Sequence, residues 1–221
     1  MLFLAVSLGF AAENLREHLS DEAKVHAYMR GMVEDLEIDS LRLANNIQRL
    51  KGDLANADTV TRMYIASLST GRFPQGIADK GRFSGNSVDV VFNDRTASQL
   101  KGTGAIRLIK SPIASDMLQY WNNQARLGEI HDRFEALRLE HRKVGWRAFN
   151  WYAGVYAAAQ PDDPTYRNHH PPEVADPTIV REFINVTSSM FNLATVQYLK
   201  ALEEELELGI QLRRSIREAY D

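Results

Sequence analysis

Hydrophobic side chains recur in the first third of the chain at the alternating three- and four-residue spacing of a packed helix. From residue 20 to residue 68 there is no proline, and two series of positions, each seven residues apart, keep this spacing for five heptads. The first series is Met29, Leu36, Leu43, Leu50, Ala57 and Tyr64, and the second is Val33, Ser40, Ile47, Leu54, Thr61 and Leu68. The pattern predicts one long helix in an ordinary helical bundle, with a free parallel coiled coil as the alternative.

Capping signals and apolar periodicity predict two further long helices. Ser111 and Pro112 read as a cap and a first helical residue, and the periodic pattern behind them predicts a helix to about residue 159. Asp176 and Pro177 have the same arrangement and predict a last helix to about residue 219.

Two irregular segments separate these predicted helices. Glycines and turn residues predict a loop near 69–93 with an extended or capping stretch at 88–92, and five prolines make a continuous helix over 160–177 implausible. Asp94 precedes a short helix that glycines interrupt. The expected fold is all-α: an elongated antiparallel bundle of three long helices plus a short one.

Residues 2–12 form an uncharged apolar run. As a helix the run would cover ~16 Å, about half of a bilayer core. A signal peptide and a helix end buried in the protein's own core are alternatives. A run that is apolar on every face and passes without proline into charged residues favours the C-terminal half of a transmembrane anchor. We expect an anchor segment over 1–14, continuous with a helical domain over 15–221. Its expected membrane-contacting side chains are Leu2, Phe3, Leu4, Val6, Leu8 and Phe10.

Composition removes several classes of function. The 221 residues include no cysteine, which excludes disulfide scaffolds, thiolate zinc sites, cysteine-bound iron–sulfur clusters and cysteine nucleophiles. With 26 Lys and Arg against 29 Asp and Glu, the net charge is −3, which argues against a nucleic-acid-binding surface. No catalytic motif is present in the sequence, and we expect no catalytic residue and no cofactor.

Histidine positions are the weak candidates for a metal site. His18, Glu22 and His26 are spaced four residues apart and would share one helix face, although charged side chains at this spacing are common on exposed helices. His169 and His170 stand in the proline-rich loop, where a polar loop is the simpler interpretation. The Glu-x-x-His pairs of di-iron bundles do not occur.

An aromatic group and one histidine stand out near the end of the second long helix. The group comprises Trp146, Phe149, Trp151, Tyr152 and Tyr156. Core packing at a bundle end is the favoured interpretation, and a membrane-interface belt, an interface or a pocket are the alternatives. His141 lies on the apolar seam of this helix, where a hydrogen-bonded core histidine is favoured over a pH-sensitive residue.

Two parts of the sequence resemble a family of uncharacterised bacterial single-pass membrane proteins. The matching residues are Gly9 with Glu13-Asn14, then Tyr28-Met29 with Asp35-Leu36, and then Ser98 with Arg107-Leu108-Ile109. The resemblance implies an N-terminal transmembrane helix followed by a helical domain, and it implies no activity. Members of this family carry about ten or more further residues upstream, so we expect the natural chain to extend beyond Met1.

These features together predict a non-catalytic, membrane-anchored helical scaffold or accessory subunit of a bacterial membrane protein assembly. The expected partners are membrane lipid and other proteins, or further copies bound through the helical seams, with no nucleic acid. The expected location is the bacterial inner membrane, with one span. Arg16, Lys24 and Arg30 follow the apolar run and weakly favour a cytoplasmic main domain. A sensory or ligand-binding bundle and a metal-dependent enzyme are the alternatives.

Overall fold

The computed structural model describes residues 2–86, 88, 90–152 and 173–220, and the regular secondary structure of these residues is helical. In chain order the helices are α1 (Leu2–Thr70), α2 (Ile77–Arg82), α3 (Arg95–Thr103), α4 (Ser111–Ala148), α5 (Pro177–Leu193) and α6 (Leu199–Tyr220). A 3₁₀ helix (Ala105–Leu108) follows α3, and a π-helical stretch (Ala194–Tyr198) joins α5 to α6. The prediction of an all-α fold is confirmed.

The predicted helix starts agree with the structure, and one predicted end does not. α1 is a single helix from Leu2, and α5 begins at Pro177 with the Asp176 carboxylate accepting the Thr178 amide at 2.8 Å. α4 ends at Ala148 and not near residue 159. The reason is a short β-type pairing, in which the amide of Asn150 donates to the Glu173 carbonyl at 3.0 Å. Residues 153–159 lie outside the described residues.

The predicted loop near 69–93 contains a helix that the sequence pattern did not indicate. α2 has six residues and begins after Gly76, whose φ of +83° is a left-handed conformation that glycine adopts without a Cβ clash. Ile77, Ala78 and Gly81 are buried, so α2 is held by packing and not by helix propensity. The expected extended stretch agrees with the non-helical backbone at residues 88 and 90–92.

The chain forms two compact units. Unit 1 comprises Met1–Ala44, Val91–Ala125 and Glu204–Asp221, and unit 2 comprises Asn45–Val90 and Arg126–Glu203. α1, α4 and α6 each contribute residues to both units. The predicted division into an anchor over 1–14 and a domain over 15–221 stays a prediction, as does one elongated bundle of the long helices.

In unit 1, α6 runs antiparallel to both α1 and α4. Tyr220 contacts His26 and, near the start of α4, Lys110. About three turns back along α6, Gly209 approaches Leu36 and Tyr120. α1 and α4 therefore run in the same direction within this unit, so the all-antiparallel arrangement is not confirmed. A prediction from helix order alone assumes tight connections, whereas residues 71–110 form a long connection with its own helices.

Each unit has its own apolar core. In unit 1, side chains of α1, α3, α4 and α6 pack together, among them Met29, Leu36, Leu100, Met117, Leu212 and Ile216. In unit 2 the core joins α1, α2, α4 and α5 with the residues just after α4, and it includes Val60, Ile77, Val144, Phe149, Trp151, Val180 and Phe183.

The buried face of α1 differs from the predicted seam by one residue. The first predicted series is buried from Met29 to Ala57. In the second series only Ile47 is buried, while Leu68 is exposed. The structure instead buries the neighbouring positions, which are Met32, Asp39, Asn46, Asp53, Val60 and Ser67. Hydrophobicity alone could not identify this series because four of its six members are polar.

Candidate functional site

The N-terminal part of α1 presents apolar side chains that no other described element covers. From residue 7 to residue 24 every side chain is exposed except that of Asp21, which is half-buried, and Val25 is the first buried residue. Leu8 is 64% exposed and Phe10 68% exposed. The side chains of Leu2, Phe3, Leu4 and Val6 lie outside those that the structure describes. Within the described residues, no helix is both long enough and apolar enough to cross a membrane.

A polar groove follows this apolar end of α1 in unit 1. It measures about 410 Å³ and is lined by His18, Asp21, Glu22, Val25, His26, Leu108, Lys110, Ala219 and Tyr220. The groove wall is fixed at the end of α6, where Lys110 Nζ donates to the Ala219 carbonyl at 2.6 Å and the Lys110 amide donates to the Tyr220 hydroxyl at 2.9 Å. The His26 ring meets the Tyr220 ring edge to face at 5.6 Å.

The candidate metal ligands near the groove are not assembled as a metal site. His18 Nε2 lies 3.4 Å from Glu22 Oε1, which is the distance of an ion pair, whereas His26 turns to Tyr220. Among the residues that the structure describes, no group of three His, Asp or Glu side chains is placed to hold a metal ion. His169 and His170 lie outside the described residues, so their role stays a prediction.

The aromatic group at the end of α4 separates into buried and exposed members. Phe149 and Trp151 stack with an interplanar angle of 17° and pack edge to face on Phe183 in the unit 2 core. Trp146 and Tyr152 are about half exposed. Tyr156 lies outside the described residues. The buried pair therefore serves the core, and an interface role of the exposed pair stays a prediction.

Two buried carboxylates on α1 hold the chain that leads into α3. Asp35 Oδ2 accepts the Thr96 amide at 3.0 Å, and Asp39 Oδ1 accepts the Asn93 amide at 2.9 Å. The local cap residue Asp94 makes no side-chain bond to a helix amide, so Asp35 caps α3 from another helix. We call Asp35 and Asp39 the carboxylate clamp. Gly31, one turn before Asp35, gives Thr96 room to approach the α1 backbone.

Burial changes the acidity of Asp39 in the clamp. Burial raises the pKa of Asp39 to about 6, against the opposing effects of the Asn93 amide and Arg42. Burial also holds the pKa of the neighbouring Tyr120 well above its usual range, together with the carboxylates of Glu205 and Asp39. A carboxyl pKa near 6 lies in the range that general bases use, so the structural role of Asp39 is indicated by its contacts. Its Oδ1 accepts the Asn93 amide, and its Oδ2 accepts the Tyr120 hydroxyl at 3.5 Å.

A buried histidine is the corresponding polar group of unit 2. His141 has no exposed surface, and its Nε2 lies 3.0 Å from Ser84 Oγ. Since Ser84 Oγ donates to the Gly81 carbonyl at 2.7 Å, the imidazole must be the donor in the contact with Ser84. A nucleophilic serine needs the opposite arrangement, in which the histidine accepts the hydroxyl proton. Burial, with Arg142 and Arg138 close by, lowers the pKa of His141 to about 4.

Sequence reasoning missed the clamp because it searched the seam for apolar residues. A signal was present, since Gly31, Asp35 and Asp39 recur at four-residue intervals beside a strongly apolar series. It also missed the π-helical stretch, which includes the buried Tyr198, whose hydroxyl lies 2.8 Å from His131 Nδ1. Its interpretation of His141 as a hydrogen-bonded core residue agrees with the Ser84 contact.

Comparisons of this chain with protein-family models, with curated proteins and with solved structures find no match.

Proposed function

We propose that this protein is a non-catalytic helical scaffold or accessory subunit of a bacterial membrane assembly, held at the membrane by the N-terminal end of α1. The observation that carries the proposal is the uncharged run at the start of α1, in which all the described side chains, those of residues 7–12, are exposed, Leu8 and Phe10 among them. Insertion of residues 2–12 into lipid would remove this apolar surface from water.

The polar interior of the protein supports a structural role. The Asp35 and Asp39 carboxylates accept backbone amides, and His141 donates to Ser84, so all three side chains position chain segments. Acids and bases with perturbed pKa values mark active sites when they line a cleft, whereas Asp39 and His141 are buried.

Vesicle binding tests the anchor. Wild-type protein and the double variant Leu8→Ser with Phe10→Ser should be sedimented with vesicles of phosphatidylethanolamine and phosphatidylglycerol. Each substitution removes a large apolar side chain worth roughly 1.5–3 kcal/mol on full burial, so we expect binding to fall by about 10-fold or more. The matched control is Leu41→Ser with Leu68→Ser, which removes side chains that are 64% and 68% exposed elsewhere on α1.

The control variant should bind as the wild type does. Equal losses in both double variants would show general adhesion of exposed apolar residues and would contradict anchoring by residues 2–12. Wild-type protein that stays in the supernatant would overturn the membrane proposal outright.

A further inference from the structure

The contact between His141 and Ser84 joins α4 to the residues that follow α2. The imidazole Nε2–H donates to Ser84 Oγ, and Ser84 in turn donates to the Gly81 carbonyl at the end of α2. This assignment leaves Nδ1 as the unprotonated ring nitrogen. Nδ1 is buried and has no hydrogen-bond partner among the described residues. It lies against Gly85, where an added Cβ would be only 2.7 Å away.

Among the residues that the structure describes, no carboxylate contributes to the pKa of this imidazole. The side chains that meet the ring from other segments are uncharged: Ser84, the Phe183 ring at 4.5 Å and the Trp151 ring at 6.4 Å. The charged groups that act on it are Arg138 and Arg142 of its own helix, and both disfavour an imidazolium.

The acidic groups on the surrounding elements have other partners. Glu135 binds Arg138 within α4, and Glu182 of α5 pairs with Arg147 at 3.5 Å. On α1, Asp53 accepts the Asn86 side-chain amide at 2.9 Å. A proton on Nδ1 would therefore place an unpaired donor and a buried positive charge against the Gly85 backbone.

The residues joined to His141 cover the aromatic part of the unit 2 core. We call residues 77–86 the α2 segment. Gly81 packs so closely on Phe183 that an added Cβ would be 3.2 Å from its ring. The segment is also held by Trp151 Nε1, which donates to the Ala78 carbonyl at 2.8 Å, and by the Glu173 carboxylate, which accepts the Gly76 amide at 2.8 Å.

We propose that His141 is an acid-sensitive latch, whose protonation releases the α2 segment and uncovers the aromatic surface formed by Phe149, Trp151 and Phe183. The proton comes from solvent and no covalent bond changes. The latch does not depend on the proposed membrane function, because its residues all belong to unit 2.

The size of the effect follows from linkage. In the open state the imidazole is solvated and recovers an ordinary affinity for protons, whereas in the closed state it binds a proton about two and a half pH units lower. Opening is therefore favoured as the pH falls from about 6.5 to 4. Between pH 7 and pH 5 the opening equilibrium constant should rise by about 20-fold.

Amide hydrogen exchange tests the latch on the full chain. Exchange of peptides covering residues 77–86, corrected for the intrinsic effect of pH, should be compared at pH 7 and pH 5 with that of residues 204–220 as an internal reference. We expect about a 20-fold loss of protection in the α2 segment and a smaller change in the reference. No selective loss in the wild type would overturn the proposal.

Three variants assign the effect to one side chain. His141→Gln keeps an amide donor for Ser84 but does not titrate, so its α2 segment should show no selective response to pH. His131→Gln, a change at another α4 histidine, should respond as the wild type does, and so should Asp53→Asn. A response that persists in His141→Gln, or that disappears in Asp53→Asn, would contradict the latch. If His141→Gln does not fold, the wild-type comparison and the Asp53→Asn response still decide the question.

Discussion

The two units of this protein secure their connecting segments with opposite chemistry. In unit 1 the carboxylate clamp on α1 accepts backbone amides near the start of α3, and burial raises the pKa of one of its members, Asp39. In unit 2 a neutral imidazole surrounded by aromatic rings holds the residues after α2. Both arrangements tie a connecting segment to a long helix by hydrogen bonds from side chains that are themselves buried.

Asp39 and His141 have similar structural roles, but their contributions to stability depend on pH in opposite directions. The folded state holds a proton on Asp39 more tightly than the unfolded chain does, so its contribution to stability falls as the pH rises from about 4 to 6. The folded state binds a proton on His141 less tightly, so stability is lost as the pH falls from 6.5 toward 4. The two units should therefore respond to acid in opposite directions.

The largest expected effect tests the rigidity of the aromatic core in unit 2. In Gly145→Ala the new Cβ would lie 2.0 Å from the Trp151 ring, which cannot move without disturbing Phe149 and Phe183. We expect a loss of about 3 kcal/mol in the free energy of unfolding, measured by urea denaturation.

Two further glycine variants serve as controls for Gly145→Ala. Gly128→Ala, also on α4, adds a Cβ with no atom within 4 Å, and we expect a gain of up to about 1 kcal/mol from helix propensity. Gly31→Ala in unit 1 meets the Thr96 hydroxyl at 2.8 Å, which rotation of one side chain relieves, so its cost should be smaller than that of Gly145→Ala. A Gly31→Ala variant as damaged as Gly145→Ala would contradict the contrast between the units.

The next largest loss of stability is expected at the cap of α3, which Asp35 provides from α1. Asp35→Ala removes the acceptor of the buried Thr96 amide and a partner of Arg95, and we expect a loss of about 2 kcal/mol in unfolding free energy. The control is Asp94→Ala at the local cap position, where the side chain binds only the Ser98 hydroxyl, and we expect a change of about 0.5 kcal/mol or less. Equal losses would show that α3 is capped locally.

The smallest effect sharpens the pH comparison. The contribution of Asp39 to the free energy of unfolding should fall by roughly 1–2 kcal/mol as the pH rises from 4 to 7, because Asp39 must ionise while buried. It is measured as the difference between the wild type and Asp39→Asn in urea denaturation, and the α2 segment of Asp39→Asn should keep its response to acid. A contribution of Asp39 that increases with pH would reverse the sign and contradict the assignment.

Several local features could be read from the chain. The helix starts at Pro112 and Pro177 follow from the fixed φ of proline and a preceding cap residue, and α5 begins where this rule places it. The end of α4 could not be read in this way. Its apolar period continues past Ala148, and only the pairing of Asn150 with Glu173, which is distant in sequence, ends the helix.

The burial of polar residues is a second feature that the sequence pattern could not predict. Asp35, Asp39 and His141 lie on helices, where local rules place polar side chains toward water. They are buried because backbone amides and a hydroxyl from other segments need partners in the interior. No local pattern carries that information.

The sequence by itself determined that the chain is helical and where the long helices begin, because periodicity, caps and proline act over a few residues. It also determined that the first part of α1 is apolar. Only the tertiary structure decided the direction of α4 relative to α1 in unit 1, the polar face that α1 buries and the cap of α3. These depend on which distant groups meet, and a hydrogen bond formed in a dry interior outweighs the weak preference of any single residue for its local environment.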